Sequence, residues 1–188
     1  MFKQIKIHKM TDEQIVQGCV LKNSLAQEYL YKKYHRDMLK VCLRYVNYNF
    51  KEAEDVVQNG FISIFENIES FKVTGSLKWW IRKIMVNTAL IHIRKNKKLK
   101  QNINLDSVEF MLPSNMSASD SFAVKDILKI IQSLPVGFKT VFNLYAIEGY
   151  SHKEIGEMLN ISESTSKSQY SRAKVHLKRM VAESGLSY

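Results

Sequence analysis

The chain has 188 residues, a formal net charge of +10 and 45% hydrophobic residues. This length fits one domain or two small ones, and the apolar content is enough to bury a core. The positive charge favours a polyanionic partner, although it would also suit a ribosomal or membrane-surface protein.

Several other classes of protein are disfavoured by the residue pattern. Cys19 and Cys42 are isolated thiols without the spacing of a metal site, which is typical of a reducing compartment. Residues 1–10 lack the continuous apolar run of a signal peptide, and no segment is long and apolar enough to span a bilayer. We therefore expect a cytoplasmic protein.

Helical periodicity accounts for the first half of the chain, and no segment alternates strongly enough to predict a strand. Thr11 and Gln14 form a capping box at the start of a short helix, and Asn23 caps a longer one. A third helix begins near Lys51, and Ser76 caps a fourth that runs to about residue 97. The predicted buried face of the second and third helices consists of Leu30, Tyr34, Met38, Val41, Tyr45, Ala53, Val57, Phe61, Ile64 and Ile68.

The third helix has a polar face opposite its buried stripe. Asp55, Gln58 and Asn59 lie three and four residues apart, so they share one side of the helix. One carboxylate and two amides suit docking against a cationic helical surface. An ordinary solvated face is the alternative, and it is the preferred interpretation of this segment taken alone.

The fourth helix carries an unusual stripe. Trp80, Lys83, Asn87 and Arg94 fall on one side, and Trp79 adjoins them. Aromatic side chains that stack on bases, interleaved with cations that follow phosphates, are typical of proteins that hold single-stranded nucleic acid. An Asn can pair with the edge of a flipped base. The alternative is that each Trp belongs to the core and that the cations only keep the helix end soluble.

The chain changes character between residues 99 and 123. Pro113 and the nearby serines leave no sustained helical stripe, so we predict a flexible linker. Helices are predicted again from near Val124, and Pro135 marks the start of a new helical segment.

Residues 149–174 have the features of a helix-turn-helix. Ser151 and Glu154 form a capping box, Asn160 suits the left-handed turn, and Ser162 caps the next helix. This arrangement places its second helix in the major groove of DNA. That helix and its continuation are basic, with cations at Lys167, Arg172, Lys174, Lys178 and Arg179. A solvated helical hairpin without a ligand is the alternative.

Three motifs together resemble a bacterial RNA polymerase sigma factor of the extracytoplasmic function (ECF) group, in the sigma-70 family. Residues 53–65 resemble region 2.2, which docks on the clamp helices of the polymerase β′ subunit. Residues 70–89 resemble regions 2.3 and 2.4, which bind the −10 promoter element, and residues 134–173 resemble region 4, which binds the −35 element. The similarity covers about residues 20–98 and 124–181.

The resemblance implies an all-α fold of two small helical domains joined by a flexible linker, the second containing the helix-turn-helix. The expected boundaries are 11–98 for the region 2-like domain, 99–123 for the linker and 124–182 for the region 4-like domain. The implied partners are core RNA polymerase, through β′ and β, and promoter DNA as duplex and as melted non-template strand. Members of the family are commonly restrained by an anti-sigma factor. No cofactor, metal or small-molecule substrate is implied.

The resemblance also assigns residues to each partner. Polymerase binding falls to Asp55, Gln58, Asn59 and Phe61. Binding of the −10 element falls to Phe71, Lys72, Thr74, Gly75, Lys78, Trp80, Lys83, Asn87 and Arg94. Binding of the −35 element falls to Ser164, Thr165, Lys167, Ser168, Gln169 and Arg172.

In this scheme Asn87 meets the extruded base in a pocket partly walled by the 71–75 loop, with Trp80 beside it. Three positions depart from the family pattern. Asn59 replaces an acid, Ser166 replaces an apolar residue, and Gln169 stands where a basic residue is frequent.

Two other functions remain to be distinguished. A stand-alone helix-turn-helix regulator acting as a dimer would bind a palindrome without polymerase, but it leaves the Trp-rich helix unexplained. An enzyme acting on nucleic acid is disfavoured, because the sequence has no paired carboxylates, metal cluster or phosphate-binding Gly loop, and its five histidines are scattered. We therefore expect a protein without catalytic residues.

Overall fold

The structure, a computed structural model, describes residues 10–72, 74–101 and 128–184, the last five of the middle range without side chains. In these ranges every regular element is helical, which confirms the predicted all-α class. The chain divides into an N-terminal and a C-terminal compact unit. Among the described helices, none combines the length and apolar character needed to cross a membrane.

The N-terminal unit contains four helices. They are α1 (Asp12–Val20), α2 (Ser24–Tyr45), α3 (Phe50–Asn67) and α4 (Leu77–Gln101), with a 3-10 turn at Ile68–Ser70 between α3 and α4. The predicted capping box of α1 and the Asn23 cap of α2 are both present. The cap of α3, Asn49, was not predicted: its Oδ1 accepts a hydrogen bond from Glu52 N at 3.1 Å.

Helices α2, α3 and α4 pack together around one core. All ten positions of the predicted buried face are buried, none more than 5% exposed. Gly60 lies where α3 meets α4, and a Cβ there would clash with the Met85 side chain. The missing side chain therefore leaves room for Met85 between the two helices.

Helix α4 extends beyond its predicted end. It runs to Gln101, whereas the linker was predicted to begin at 99. The strongly basic sequence of this segment continues the helical pattern, because Lys and Arg are good helix formers. The rest of the predicted linker, 102–123, lies outside the described residues, as does the predicted helix start at 124.

The C-terminal unit begins with helical residues 128–132 (α5), followed by α6 (Val136–Phe142), a π-helical turn (Asn143–Ile147), α7 (His152–Leu159) and α8 (Glu163–Glu183). Helices α6 and α7 pack against α8. Val141, Leu144, Ile155 and Ala173 are completely buried between them. The sequence did not predict the π-helical turn.

Helices α7 and α8 form the predicted helix-turn-helix. Ser151 N donates to Glu154 Oε2 at 2.8 Å, and Glu154 N donates to Ser151 Oγ at 3.3 Å, which completes the capping box. Asn160 ends α7 in the left-handed region, with φ 56° and ψ 51°. Ser162 Oγ accepts from Thr165 N at 3.0 Å and caps α8. Each of these features was predicted from short-range sequence rules.

Candidate nucleic-acid interface

The first turns of α8 present most of the side chains assigned to the −35 element. Ser164, Lys167, Ser168 and Arg172 are exposed, and Thr165 is half-buried. They lie within nine residues of one helix, or about 12 Å along its axis. This span matches the width of the DNA major groove, which is about 12 Å.

Hydroxyl groups organise the N-terminus of α8. Ser162 Oγ lies 2.8 Å from Ser164 Oγ and 2.7 Å from Thr165 Oγ1. Ser168 Oγ donates to Thr165 O at 2.9 Å. The hydroxyls of this end are thus held close to the backbone, where each still has capacity for a further hydrogen bond.

Lys167, a cation of α8 assigned to the −35 element, is paired within the helix. Lys167 Nζ lies 2.6 Å from Glu163 Oε1, and its hydrogen bond and charge lower the pKa of the Glu163 carboxyl. Both side chains are exposed, so solvent screens the attraction and the pair contributes little to stability. Little stability is therefore lost when Lys167 leaves Glu163 to bind a phosphate.

Gln169 is placed differently from its neighbours. It is half-buried and lies over Gly137 of α6, where a Cβ would come within 3.4 Å of its Oε1. The side chain therefore packs partly against the protein, and we do not retain Gln169 among the residues proposed to contact DNA bases.

Ser166, one of the three departures from the family pattern, is completely buried. Its Oγ lies 2.9 Å from Nδ1 of His152, the first residue of α7. A hydroxyl at a position that usually holds an apolar side chain is thus hydrogen-bonded inside the protein.

The stripe on α4 is largely exposed. Lys83, Asn87 and Arg94 face solvent, whereas Trp80 is half-buried and contacts Phe71, with ring centroids 5.6 Å apart. The predicted mixture of an aromatic, an amide and two cations therefore lies on the surface of this unit. We call these four residues the α4 stripe.

The more exposed of the two tryptophans is Trp79, which is not among the residues assigned to the −10 element. It is 61% exposed, and the Arg82 guanidinium lies 5.6 Å from its ring centroid. The spacing of the buried residues Leu77, Ile81 and Met85 could have indicated that Trp79 is exposed, because it places residue 79 on the opposite side of α4.

Lys78, also assigned to the −10 element, has a partner within the protein. Its Nζ lies 2.8 Å from Asp37 Oδ2 of α2. The hydrogen bond from Lys78 lowers the pKa of the Asp37 carboxyl. Lys78 thus ties the start of α4 to α2, in addition to any contact with DNA.

The loop before α4 borders a cleft. Lys72, Thr74 and Gly75 are exposed, Phe71 is half-buried, and residue 73 lies outside the described part of the chain. An open cleft of about 440 Å³ separates Phe71 and Gly75 from the first turn of α1, which contributes residues 11–13.

Asn87 does not line this cleft. It lies seven residues beyond Trp80, or about 10 Å along the helix. A pocket for an extruded base between the 71–75 loop and Asn87 therefore stays a prediction.

The polar face of α3 is exposed, as expected for Asp55, Gln58 and Asn59. The Asn59 Nδ2 donates to Asp55 O at 2.8 Å, which leaves its carbonyl oxygen for a partner. We call these three residues the α3 polar face.

Phe61 was also assigned to polymerase binding, but the structure places it in the core. It is 3% exposed, and its ring lies 4.7 Å from that of Tyr31. The neighbouring Ile62 is 55% exposed and adjoins the α3 polar face, because it lies four residues after Gln58. The helical period of the buried residues in α3 predicted that Phe61 is buried. Its assignment to polymerase binding came from its position in the family motif.

Among the described residues, no group of three or more His, Cys, Asp and Glu side chains is placed to hold a metal ion. His35 and His92 instead pair with carboxylates of α3, Glu54 and Glu52 respectively, each at 3.2 Å. These contacts connect α3 to the helices on either side of it.

Two sigma-70 families match the chain. The family described as sigma-70 region 2 matches residues 30–99, and the one described as sigma-70, region 4 matches residues 125–177. Together the two matches cover well over half of the chain, in the order that the motifs predicted.

Curated relatives match most of the chain. SigM of Mycobacterium tuberculosis, an ECF RNA polymerase sigma factor, is 24% identical over 174 residues, covering 93% of this chain and 86% of the relative. The ECF factor SigW of Bacillus subtilis is 27% identical over 161 residues, covering 80% of this chain and 86% of that protein.

Two solved structures share the fold. One is the sigma factor RpoE of Bartonella quintana in complex with the anti-sigma factor NepR, with TM-score 0.57, 20% identity, and coverage of 82% of this chain and 96% of that one. The other is CnrH in complex with the cytosolic domain of CnrY, with TM-score 0.51, 17% identity, and coverage of 90% and 96%. The chain described here belongs to the sigma-70 family and is an RNA polymerase sigma factor of the ECF group.

Proposed function

We propose that this sigma factor binds core RNA polymerase through α3, binds the −35 element through the start of α8, and captures an unpaired base of the −10 element on α4. The observation that carries the proposal is the presence on one chain of two different exposed surfaces whose side chains suit DNA binding. One is a cationic recognition helix, and the other is an exposed stripe of aromatic, amide and cationic side chains.

The C-terminal unit acts on duplex DNA in this proposal. Ser164, Thr165 and Ser168 offer hydroxyls to base edges or phosphates, while Lys167 and Arg172 supply charge. The helix has 21 residues and is about 31 Å long, so its second half extends beyond the groove that its first half occupies.

The N-terminal unit acts on a strand that has left the duplex. Stacking on an exposed aromatic ring is worth about 1–3 kcal/mol per base, and the neighbouring cations follow the phosphates. Trp79 offers the more open ring, and Asn87 offers a donor and an acceptor to a base edge. Because the unpaired strand exists only after opening, binding it shifts the equilibrium towards the open state.

Polymerase binding is assigned to the α3 polar face together with Ile62, in place of Phe61. Protein interfaces commonly bury an apolar centre within a polar rim, and Ile62 beside Asp55 and Gln58 provides both. A cationic helical partner surface suits the carboxylate of Asp55.

The remaining assignments follow from the family. We propose domain boundaries near 11–98 and 124–182, with the first extended by α4 to Gln101. The protein acts in the cytoplasm, beside polymerase and chromosomal DNA, and has no chemistry of its own. Because two solved relatives are complexes with an anti-sigma factor and with a cytosolic domain, we also propose a protein partner that restrains this chain.

The test uses the full chain reconstituted with core polymerase on promoter fragments. Asn87→Ala should reduce open-complex formation and change the preference at the −10 element, while the −35 preference stays as in the wild type. Lys129→Ala, an exposed substitution in the other unit, is the control. Unchanged open-complex formation by the Asn87 variant would contradict the assignment. Specific binding of a palindrome without polymerase would instead favour the stand-alone regulator.

A further inference from the structure

The buried contact between Ser166 and His152 has no counterpart in the functions assigned above. Ser166 belongs to the recognition helix but has no exposed surface, and its hydroxyl oxygen lies 2.9 Å from His152 Nδ1. His152 is the first residue of α7, so the contact joins the two helices of the helix-turn-helix at a fixed point of each.

The imidazole is itself held in place by aromatic rings. It stacks on Tyr145 of the π-helical turn, with centroids 4.2 Å apart and planes inclined by 10°. Tyr170 of α8 lies 5.8 Å from the imidazole and 4.6 Å from Tyr145. Residues of two elements, the π-helical turn and α8, therefore fix the ring, and stacked aromatic pairs of this kind favour a defined geometry.

The position of Ser166 within α8 gives the contact its importance. Residues Thr165 and Lys167 flank it on the chain, and both are assigned to the −35 element. A rotation of α8 about its axis would move these side chains relative to the base edges. An apolar side chain at 166 would allow small rotations, since its contacts have little directionality, whereas a hydrogen bond constrains both distance and angle.

We propose that His152 and Ser166 form a positioning pair, which sets the rotation of the recognition helix and thereby the base preference at the −35 element. The inference rests on the proposed role of α8 in binding that element. It adds that specificity depends on two residues that touch no DNA. Base contacts tolerate displacements of only about 0.5 Å, so a small rotation is enough to change the preference.

The test is an in vitro selection by reconstituted holoenzyme, with the full-length chain, from promoters randomised over the −35 element and constant elsewhere. Ser166→Ala removes the hydroxyl, and His152→Phe keeps a ring on Tyr145 but removes both nitrogens. His152→Asn keeps a polar group near the position of Nδ1 and removes the ring. Ser184→Ala, at the exposed C-terminal cap of α8, is the matched serine control.

All variants are compared at a temperature at which thermal unfolding shows each to be folded. We expect Ser166→Ala and His152→Phe each to lower the ratio of binding between the best and the median −35 sequences by about threefold to tenfold, the range for one net hydrogen bond. The double variant should show the same loss as either single variant, because both act through one contact. His152→Asn should lose less than His152→Phe, and Ser184→Ala should match the wild type.

Two results would overturn the inference. One is a −35 preference in Ser166→Ala and His152→Phe equal to that of the wild type, even if their Tm values fall, because the pair would then only stabilise the fold. The other is a larger loss in His152→Asn than in His152→Phe, which would assign the effect to the ring. A wild-type holoenzyme with no −35 preference would overturn the proposed role of α8 together with this inference.

Discussion

The neighbours Phe61 and Ile62 allow a direct test of which face of α3 meets polymerase. Phe61 is 3% exposed and Ile62 is 55% exposed. Substitution of each should therefore separate folding from binding. We expect Ile62→Ala to weaken polymerase binding with a smaller fall in Tm than that of Phe61→Leu, and Phe61→Leu to lower Tm without weakening binding by the folded protein.

The magnitude for Ile62 follows from its exposure. Truncation to alanine removes three carbon groups, worth about 2.4 kcal/mol in all at about 0.8 kcal/mol each when completely buried. Since 55% of the residue is exposed in the free chain, about 1.3 kcal/mol remains to be gained on binding. The dissociation constant for core polymerase should therefore rise about ninefold.

The magnitude for Phe61 concerns stability instead. Its ring is enclosed by the core and lies 6.1 Å from that of Phe65 and 4.7 Å from that of Tyr31. Replacement by the smaller leucine should cost about 1–2 kcal/mol of unfolding free energy. For a unit of this size that corresponds to a fall in Tm of very roughly 4–16 °C.

The assay is a titration of fluorescently labelled full-length chain with core polymerase, with thermal unfolding followed by circular dichroism. Affinity is compared at a temperature at which both variants are folded. The reasoning would be refuted if Ile62→Ala kept its affinity within twofold of the wild type while Phe61→Leu, still folded, lost affinity. That pattern would return the polymerase contact to the face that the family motif suggested.

Three further predictions test local physical chemistry. Burial raises the pKa of Cys19 to about 11, so at pH 8 its alkylation should be about a hundredfold slower in the folded than in the unfolded protein, as measured by mass spectrometry; rates within tenfold would contradict this. Because Lys78 lowers the pKa of Asp37, Lys78→Ala should raise that pKa in an NMR titration. The wild type should be slightly more stable than this variant at pH values above the ordinary pKa of an Asp carboxyl. That advantage should disappear as the pH falls through the lowered pKa of Asp37, and an advantage that grows in acid would be inconsistent with the pair. Asn160→Ala places a less suitable residue at φ 56° and should cost about 1 kcal/mol, whereas Asn160→Gly should not lower Tm; equal Tm values for the two variants would show that the turn is not strained.

The features that the sequence predicted well are those set by neighbours along the chain. The cap side chains of Thr11, Asn23, Ser151 and Ser162 accept hydrogen bonds from backbone N–H groups two or three residues away, and the turn at Asn160 depends on one residue's conformational freedom. Short-range rules therefore fixed the helix starts and the helix-turn-helix to within a residue. The buried faces of α2 and α3 followed equally well from their period.

The features that were missed depend on residues far apart in sequence. Lys78 pairs with Asp37, 41 residues away, and Ser166 with His152, 14 residues away. A local sequence pattern does not indicate which polar residue of a helix will form a hydrogen bond with a residue that is far away in the sequence. Gln169 was assigned to DNA for the same reason, since only the packing of α6 shows that its side chain lies over Gly137.

The assignment of Phe61 failed for a different reason. Its place in a recognised motif was given more weight than its place in the buried period of α3, although the period predicted its burial correctly. A motif records which segment meets a partner, whereas the helical period shows which side chains of that segment can reach it. Ile62 satisfies both conditions.

The energy available on α4 limits what this chain can do without polymerase. Its described surface offers one open ring, Trp79, and one half-buried ring, Trp80, so it can stack one or two bases. At about 1–3 kcal/mol per base the gain is at most about 6 kcal/mol. Separating ten base pairs costs about 14 kcal/mol, at about 1.4 kcal/mol per step.

Capture of unpaired bases by α4, as proposed above, would therefore lower the cost of opening without meeting it. We expect the isolated chain to leave promoter duplex closed, while the same chain with core polymerase makes thymines of the −10 element reactive to permanganate. Trp79→Ala should reduce that reactivity by about fivefold to a hundredfold, the equivalent of one lost stacking contact. Arg179→Ala, an exposed cation of the other unit, should not reduce opening once holoenzyme is saturating on the promoter. Permanganate-reactive thymines with the isolated chain would show that α4 supplies far more binding energy than its exposed rings can account for.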